Sequence, residues 1–168
     1  MKTILYAAFF CAIGSLAQAQ EVTKAAAQLE SKSGSQVTGT VTFTKVGDEV
    51  QVVADIQSLK PGKHGFHIHE KGDCSAADAA SAGAHFNPTQ KHHGGPTTPD
   101  HHSGDLGNLE ADTSGKGHLD WKGKLSLSGT DSIIGKSIVV HEKEDDLKTD
   151  PSGNSGSRVA CGTINAAE

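Results

Sequence analysis

Residues 36–56 read QVTGTVTFTKVGDEVQVVADI. Val37, Val41 and Phe43 fall on one face and Thr38, Thr40, Thr42 and Thr44 on the other, the period-two alternation of a strand that buries one side. Val46-Gly47-Asp48-Glu49 supplies turn residues and 50–56 the returning strand, so the stretch is a β-hairpin. Working outward, the Ala-rich residues 21–30 alternate only weakly and would tolerate a helix, but beside a hairpin they read as an edge strand. Leu59-Lys60-Pro61-Gly62-Lys63 is a turn with Pro and Gly where turn geometry favours them, and 64–70 is the next strand. Residues 105–112 and 118–127 form a second predicted hairpin about Thr113-Ser114-Gly115-Lys116-Gly117, with Trp121 in mid-strand as a packing residue. Residues 137–141 and 158–164 are the last two strands, and only Gln20 and the final few residues are expected to fray. Seven or eight short strands with regular turn signals predict an antiparallel sandwich or barrel. Two long loops, 71–101 and 142–157, interrupt the pattern, and loops of that length in a compact domain are usually functional.

Residues 1–19 have one basic residue, Lys2, then an apolar run from Ile4 to Leu16, then Ala17-Gln18-Ala19. This is the layout of a secretory signal peptide, with cleavage expected before Gln20 and a single domain over 20–168. The apolar run is short for a membrane span, so the mature chain is expected to be exported, to a periplasm or the extracellular space, with no membrane attachment. Cys11 leaves with the signal, and Cys74 and Cys161 remain in an oxidising compartment, where a pair of cysteines predicts a disulfide. It would close a loop of nearly ninety residues, for which chain entropy assigns roughly 4–5 kcal/mol. The full chain has a formal charge of −5, which speaks against nucleic acid as a partner.

The stretch from His64 to His102 holds eight of the ten histidines. His67 and His69 stand two apart in Gly65-Phe66-His67-Ile68-His69, so in a strand both imidazoles project to one face. His85, His93 and His102 come from Gly-, Pro- and Asn-rich sequence, and Asp105 follows His102 by three. Imidazoles with one carboxylate suit copper or zinc, not magnesium or calcium. A loose metal-buffering tract is the plainer alternative, but apolar residues and the Asn-Pro and Gly-Gly pairs spread these histidines as an ordered site would.

With His67-Ile68-His69, Gly83-Ala84-His85-Phe86-Asn87-Pro88, Gly104-Asp105-Leu106-Gly107-Asn108 and Val140-His141-Glu142 in hand, the chain resembles the copper/zinc superoxide dismutases from about Val22 to Ile164. The sandwich architecture of that family implies an all-β, eight-stranded antiparallel Greek-key barrel or sandwich of immunoglobulin-like architecture, with two long functional loops. The resemblance further implies one copper and one zinc per chain. His67, His69, His85 and His141 match the copper ligands, and His85, His93, His102 and Asp105 the zinc ligands, so that His85 bridges the two. Asp145 matches the carboxylate linking His67 to His93, Cys74 and Cys161 the family disulfide, and Arg158 the arginine that receives the anion. His85 and Arg158 would then be the catalytic residues in the disproportionation of superoxide anion to O2 and hydrogen peroxide. The chain departs from the pattern in the early position of Cys74, as in some bacterial and exported forms, and in a short 143–157 loop, leaving Lys143 and Lys148 as candidates for steering the substrate. His64 is expected to pack and hydrogen-bond; His92, His101 and His118 lie outside the ligand set as solvent-facing residues. Ile133-Ile134-Gly135 resembles the dimer face of the family's eukaryotic enzymes, which implies a homodimer, whereas many exported bacterial forms associate differently or remain monomers, so both states stay open. A metal carrier without redox turnover and a metal-free adhesive sandwich are the competing readings; carriers of this type lose ligands or the arginine, which this chain keeps.

Overall fold

The computed structural model describes residues 21–168; the predicted signal peptide, with Cys11, lies outside them. Nine strands follow in order: β1 (Lys24–Ser31), β2 (Thr38–Val46), β3 (Glu49–Gln57), β4 (Gly62–His69), β5 (Asp105–Ala111), β6 (Gly117–Gly123), β7 (Ser137–His141), β8 (Arg158–Thr163) and β9 (Asn165–Ala166). Neighbours run β2-β3-β6-β5-β4-β7-β8-β1, and a β1–β2 pairing closes the ring into an antiparallel barrel. The hairpin read from residues 36–56 is β2–β3, with Val41 opposite Ala54 and Phe43 opposite Val52. All four of these side chains are fully buried. Each large apolar side chain so buried contributes about 1.5–3 kcal/mol.

Three sequence-based expectations change. The strand near the N-terminus is no edge: β1 pairs with β2 on one side and with β8 and β9 on the other. Barrel closure is a non-local event that alternation within one segment cannot report. The C-terminal residues expected to fray form β9, with Asn165 opposite Ala26 and Ala166 opposite Ala25. Finally, β6 stops at Gly123 rather than continuing to Leu127. The Trp121 ring lies against Gly123, where an added Cβ would come within 2.3 Å of it, and the chain bends away to Leu125. Trp121 itself is partly buried against the core, as a packing residue should be.

Strand β4 positions the site. Phe66 and Ile68 point into the barrel core while His67 and His69 point outward, yet all four are buried. The outward face is covered by the two long segments, 70–104 and 142–157. The first contains only one short 3-10 turn, Ala80–Ala82, so its order comes from what it is tied to. One tie is the Cys74–Cys161 disulfide, which fastens it to β8 across a separation of 87 residues. Replacing both cysteines with alanine should lower unfolding stability by about 2–5 kcal/mol; denaturant melts of the metal-loaded protein measure it, and an unchanged midpoint would contradict the assignment.

Candidate metal centre

Two groups of buried side chains converge under the long loops: His67, His69, His85 and His141, and His85, His93, His102 and Asp105, the ligand atoms of each lying within 4.8 Å of one another. His67 and His69 come from β4, His141 from the end of β7, Asp105 from the start of β5, and the others from the first long loop. Every member of both predicted sets is therefore brought to one place. His85 belongs to both groups. Its ring centroid lies 4.1 Å from His67 and 5.0 Å from His69 on one side, and 5.4 Å from His93 and 5.5 Å from His102 on the other.

The outer nitrogen of each ring fixes the role of the inner one. His69 Nδ1 donates to the Gly83 carbonyl at 2.9 Å and His141 Nδ1 to the Gly156 carbonyl at 3.2 Å. Carbonyl oxygens only accept, so the proton sits on Nδ1 and the lone pair on Nε2. His67 Nε2 donates to Asp145 Oδ2 at 2.7 Å and His93 Nε2 to Asp145 Oδ1 at 2.9 Å, which leaves Nδ1 of each ring free. The buried side-chain nitrogens without a protein partner are His67 Nδ1, His69 Nε2, His85 Nε2, His93 Nδ1 and His141 Nε2. These are the atoms that the outer hydrogen bonds have freed and turned inward. In the second group, Asp105 Oδ1 lies 2.8 Å from His85 Nδ1 and 3.2 Å from both His93 Nδ1 and His102 Nδ1. Asp105 Oδ2 is held by the backbone N–H groups of His102 and Gly94.

Burial keeps the first group neutral and ready to coordinate. Desolvation lowers His67, drives His69 and His141 well below their usual range, and takes His85 to about 4. Burial alone would raise Asp105 and Asp145, but hydrogen bonds from His85 and His93 to the first, and from His67 and His93 to the second, hold both well below the usual carboxylate range. Desolvation opposes charge on His93 as well, yet the two flanking carboxylates raise it to about 10. Imidazole donors with unpartnered ring nitrogens, joined by one carboxylate, fit copper or zinc.

Several supporting residues carry no sequence signal of the kind that marks a ligand. Asn108 grips Asp145 from both ends, accepting its N–H at 2.8 Å and donating to its carbonyl at 2.9 Å. Asp150 accepts the His93 backbone N–H at 2.6 Å. The Gly83 carbonyl, besides holding His69, accepts Arg158 Nη2 at 2.7 Å, while Nη1 donates to Ala79. Arg158 lines the same pocket as His69, His85 and His141. Lys143 and Lys148 do not line it. His64 is buried and bonded, with Nδ1 on the His141 carbonyl and Nε2 on the Lys60 carbonyl, each at 2.8 Å. His92 and His118 are exposed and paired with Asp150 and Asp55; His101 is half-buried and bonds the Thr98 carbonyl.

Asp145 gives the clearest test of this outer layer. Asparagine there would turn an amide donor against one of the two ring N–H groups. Asp145→Asn should lower metal affinity at the His93 group about 10- to 100-fold in chelator competition. Gly153→Ala should act in the same direction, because φ is +62° and an added Cβ would sit 1.7 Å from Asp145 Oδ1. Unchanged affinity in both variants would remove Asp145 from the account.

Residues 37–164 match the family model for copper/zinc superoxide dismutase. The chain is 43% identical over 161 residues to an extracellular superoxide dismutase [Cu-Zn] of Caenorhabditis elegans, covering 89% of this chain and 72% of that one. It is 49% identical over 138 residues to the protein of the same name in Drosophila melanogaster, covering 77% and 76%. Among solved structures, the clock protein EA4 superposes with a TM-score of 0.82 at 41% identity, over 89% of this chain and 98% of that one. The barrel, the paired histidine groups and these matches agree, and the chain belongs to the copper/zinc superoxide dismutase family.

Proposed function

We propose that this chain disproportionates superoxide with His67, His69, His85 and His141 holding copper and with His85, His93, His102 and Asp105 holding zinc. The observation that carries the assignment is the four buried ring nitrogens without partners on His67, His69, His85 and His141 that face one another, with His85 shared by the second group, where His93 Nδ1 is the fifth. Bound there, copper would supply the one-electron redox chemistry that disproportionation of superoxide needs, and zinc, which has no redox chemistry, would hold the first long loop through His85, His93 and His102.

The chain's own residues bind the anion and handle the proton. Arg158 keeps its charge at any working pH and is fixed by two carbonyls, so its guanidinium faces the substrate without reorganising. His85 Nε2 points to the copper group and Nδ1 to Asp105. With its Nδ1 side engaged by the second group, the His85 ring could take a proton from solvent at Nε2 and give it to the peroxide product. Asp145 accepts Nε2–H from both His67 and His93 and so turns Nδ1 of each ring toward the place a metal would take; on His93, which the two carboxylates raise to about 10, a metal would displace the Nδ1 proton.

The relatives' names and the N-terminal pattern support export to the extracellular space, as a mature chain beginning at Gln20; in a bacterial host the same signal would deliver it to the periplasm. Pairing of two copies through Ile133-Ile134-Gly135 would draw on Ile134, since Ile133 is fully buried in the core. Sedimentation of the metal-loaded protein reads that state.

Metal analysis with activity tests the reading. The mature protein should bind one copper and one zinc, lose activity when copper is removed and largely keep it after mild zinc loss. Arg158→Ala should lower kcat/KM about ten- to a hundredfold and weaken its dependence on salt. A metal carrier would bind both ions and be indifferent to Arg158, and that result would overturn the proposal.

A further inference from the structure

The pocket over the copper group, about 450 Å³, takes one wall from the first long loop, at Gly83 and Ala84, and another from the second, at Pro151 and Ser152. Its width depends on how the second loop is held against the first. Residues 146–154 are closed on themselves. The Asp146 carboxylate accepts the N–H groups of Lys148 and Thr149 and the side-chain amide of Asn154. Asp146 N–H reaches the Gly153 carbonyl, and Gly153 N–H the Thr149 carbonyl. A segment cross-linked in this way moves as a body.

That body meets the first loop through Leu147, whose side chain packs over Gly95, and at its tip through Asp150, while Asp145 just before it holds His93. Asp150 uses both oxygens: Oδ1 accepts the His93 backbone N–H at 2.6 Å and Oδ2 faces His92 Nδ1 at 2.7 Å. Pro151 and Ser152, the pocket wall, come directly after it in the chain. We propose that Asp150 is a positioning residue that sets the width of the copper-side pocket by stapling the second loop to the backbone of His93, and so limits the site to small anions. The proposal rests on the copper reading above. The His92 arm is a solvent-exposed pair, with side chains 80% and 51% exposed, and adds little in water. The His93 arm carries the effect, because a charged acceptor on a backbone N–H is the stronger bond and it ends on a residue of the zinc group.

The test uses the full metal-loaded protein and two probes of the Cu(II) absorption: azide, a triatomic anion, and ascorbate, a bulky organic anion that bleaches the band by giving up one electron. Amide exchange of the peptide containing His93, followed by mass spectrometry, reads the staple itself. In Asp150→Ala, exchange at His93 should rise about tenfold, the loss expected for a charge-assisted bond. Ascorbate bleaching should speed up by a similar factor while azide affinity stays within about twofold. Asp150→Asn, which keeps an acceptor oxygen but loses its charge, should fall between wild type and Asp150→Ala, and His92→Ala should remain close to wild type. Faster exchange with unchanged bleaching would overturn the proposal, as would equal gains for azide and ascorbate or an Asp150→Asn variant as open as Asp150→Ala. Failure of the copper reading would show separately, as a wild-type protein whose Cu(II) absorption does not respond to azide.

Discussion

Five imidazole nitrogens buried without a protein partner are the constraint on which the rest of the structure depends. Leaving a buried polar atom unsatisfied costs about 1–3 kcal/mol, and here the outer hydrogen bonds of the same rings remove any freedom to turn away. Four of the five, on His67, His69, His85 and His141, gather as neutral lone pairs that are costly to an apo protein and favourable once a cation is bound; the fifth, His93 Nδ1, lies 3.2 Å from Asp105 on a ring raised to about 10, where a metal would replace the proton. Metal binding is in that sense part of the folding free energy of the loops. The barrel carries its own apolar core, whereas the loop containing His85, His93 and His102 has one short turn of regular structure, so that contribution falls on the loop.

Strand β4 joins the two regimes. Its alternation sends Phe66 and Ile68 into the barrel and His67 and His69 under the loops, so one strand is buried on both faces by different means. Its close contact with the loop segment before β5 shows the tolerance involved: a Cβ at Gly104 would lie 2.2 Å from the Ile68 carbonyl. Ile68 N–H in turn donates to the Gly104 carbonyl. Small residues there let the zinc-side loop approach the strand that bears the copper-side histidines.

What could be read from the sequence follows the range of the interactions. The β2–β3 hairpin is local, and its alternation and turn residues specify it. The i, i+2 spacing of His67 and His69 is local as well, and the ligand types beyond it match a family pattern in order and spacing. Closure of the barrel by β1, the short β9 and the early end of β6 depend on partners distant in sequence or on a single ring over a glycine. Asn108 and Asp150 are harder still. Asn108 acts on a residue 37 positions away and Asp150 on one 57 positions away; Asn108 closes the motif that begins at Gly104 without its role being legible there, and Asp150 is of a type that does not stand out in an acidic, Gly-rich chain. Lys143 and Lys148 stand out because they are cationic, but charge alone does not place a side chain in the pocket.

The charge of the site resolves an apparent conflict between the protein and its substrate. The chain is net negative, at −5 over its full length, and superoxide is an anion. Within the buried centre, however, the protein contributes only two carboxylates, Asp105 and Asp145, both spent on histidine rings and backbone N–H groups. Two divalent cations bound there would exceed that charge, and Arg158 adds another positive charge on the same pocket. In a low-dielectric setting this local excess governs the approach of a small anion, while the acidic exterior is screened over about 8–10 Å in physiological salt. Placing the positive field at the bottom of a pocket, rather than on surface lysines, also makes the pocket's width part of selectivity: an anion must fit between the loops before it can experience the charge.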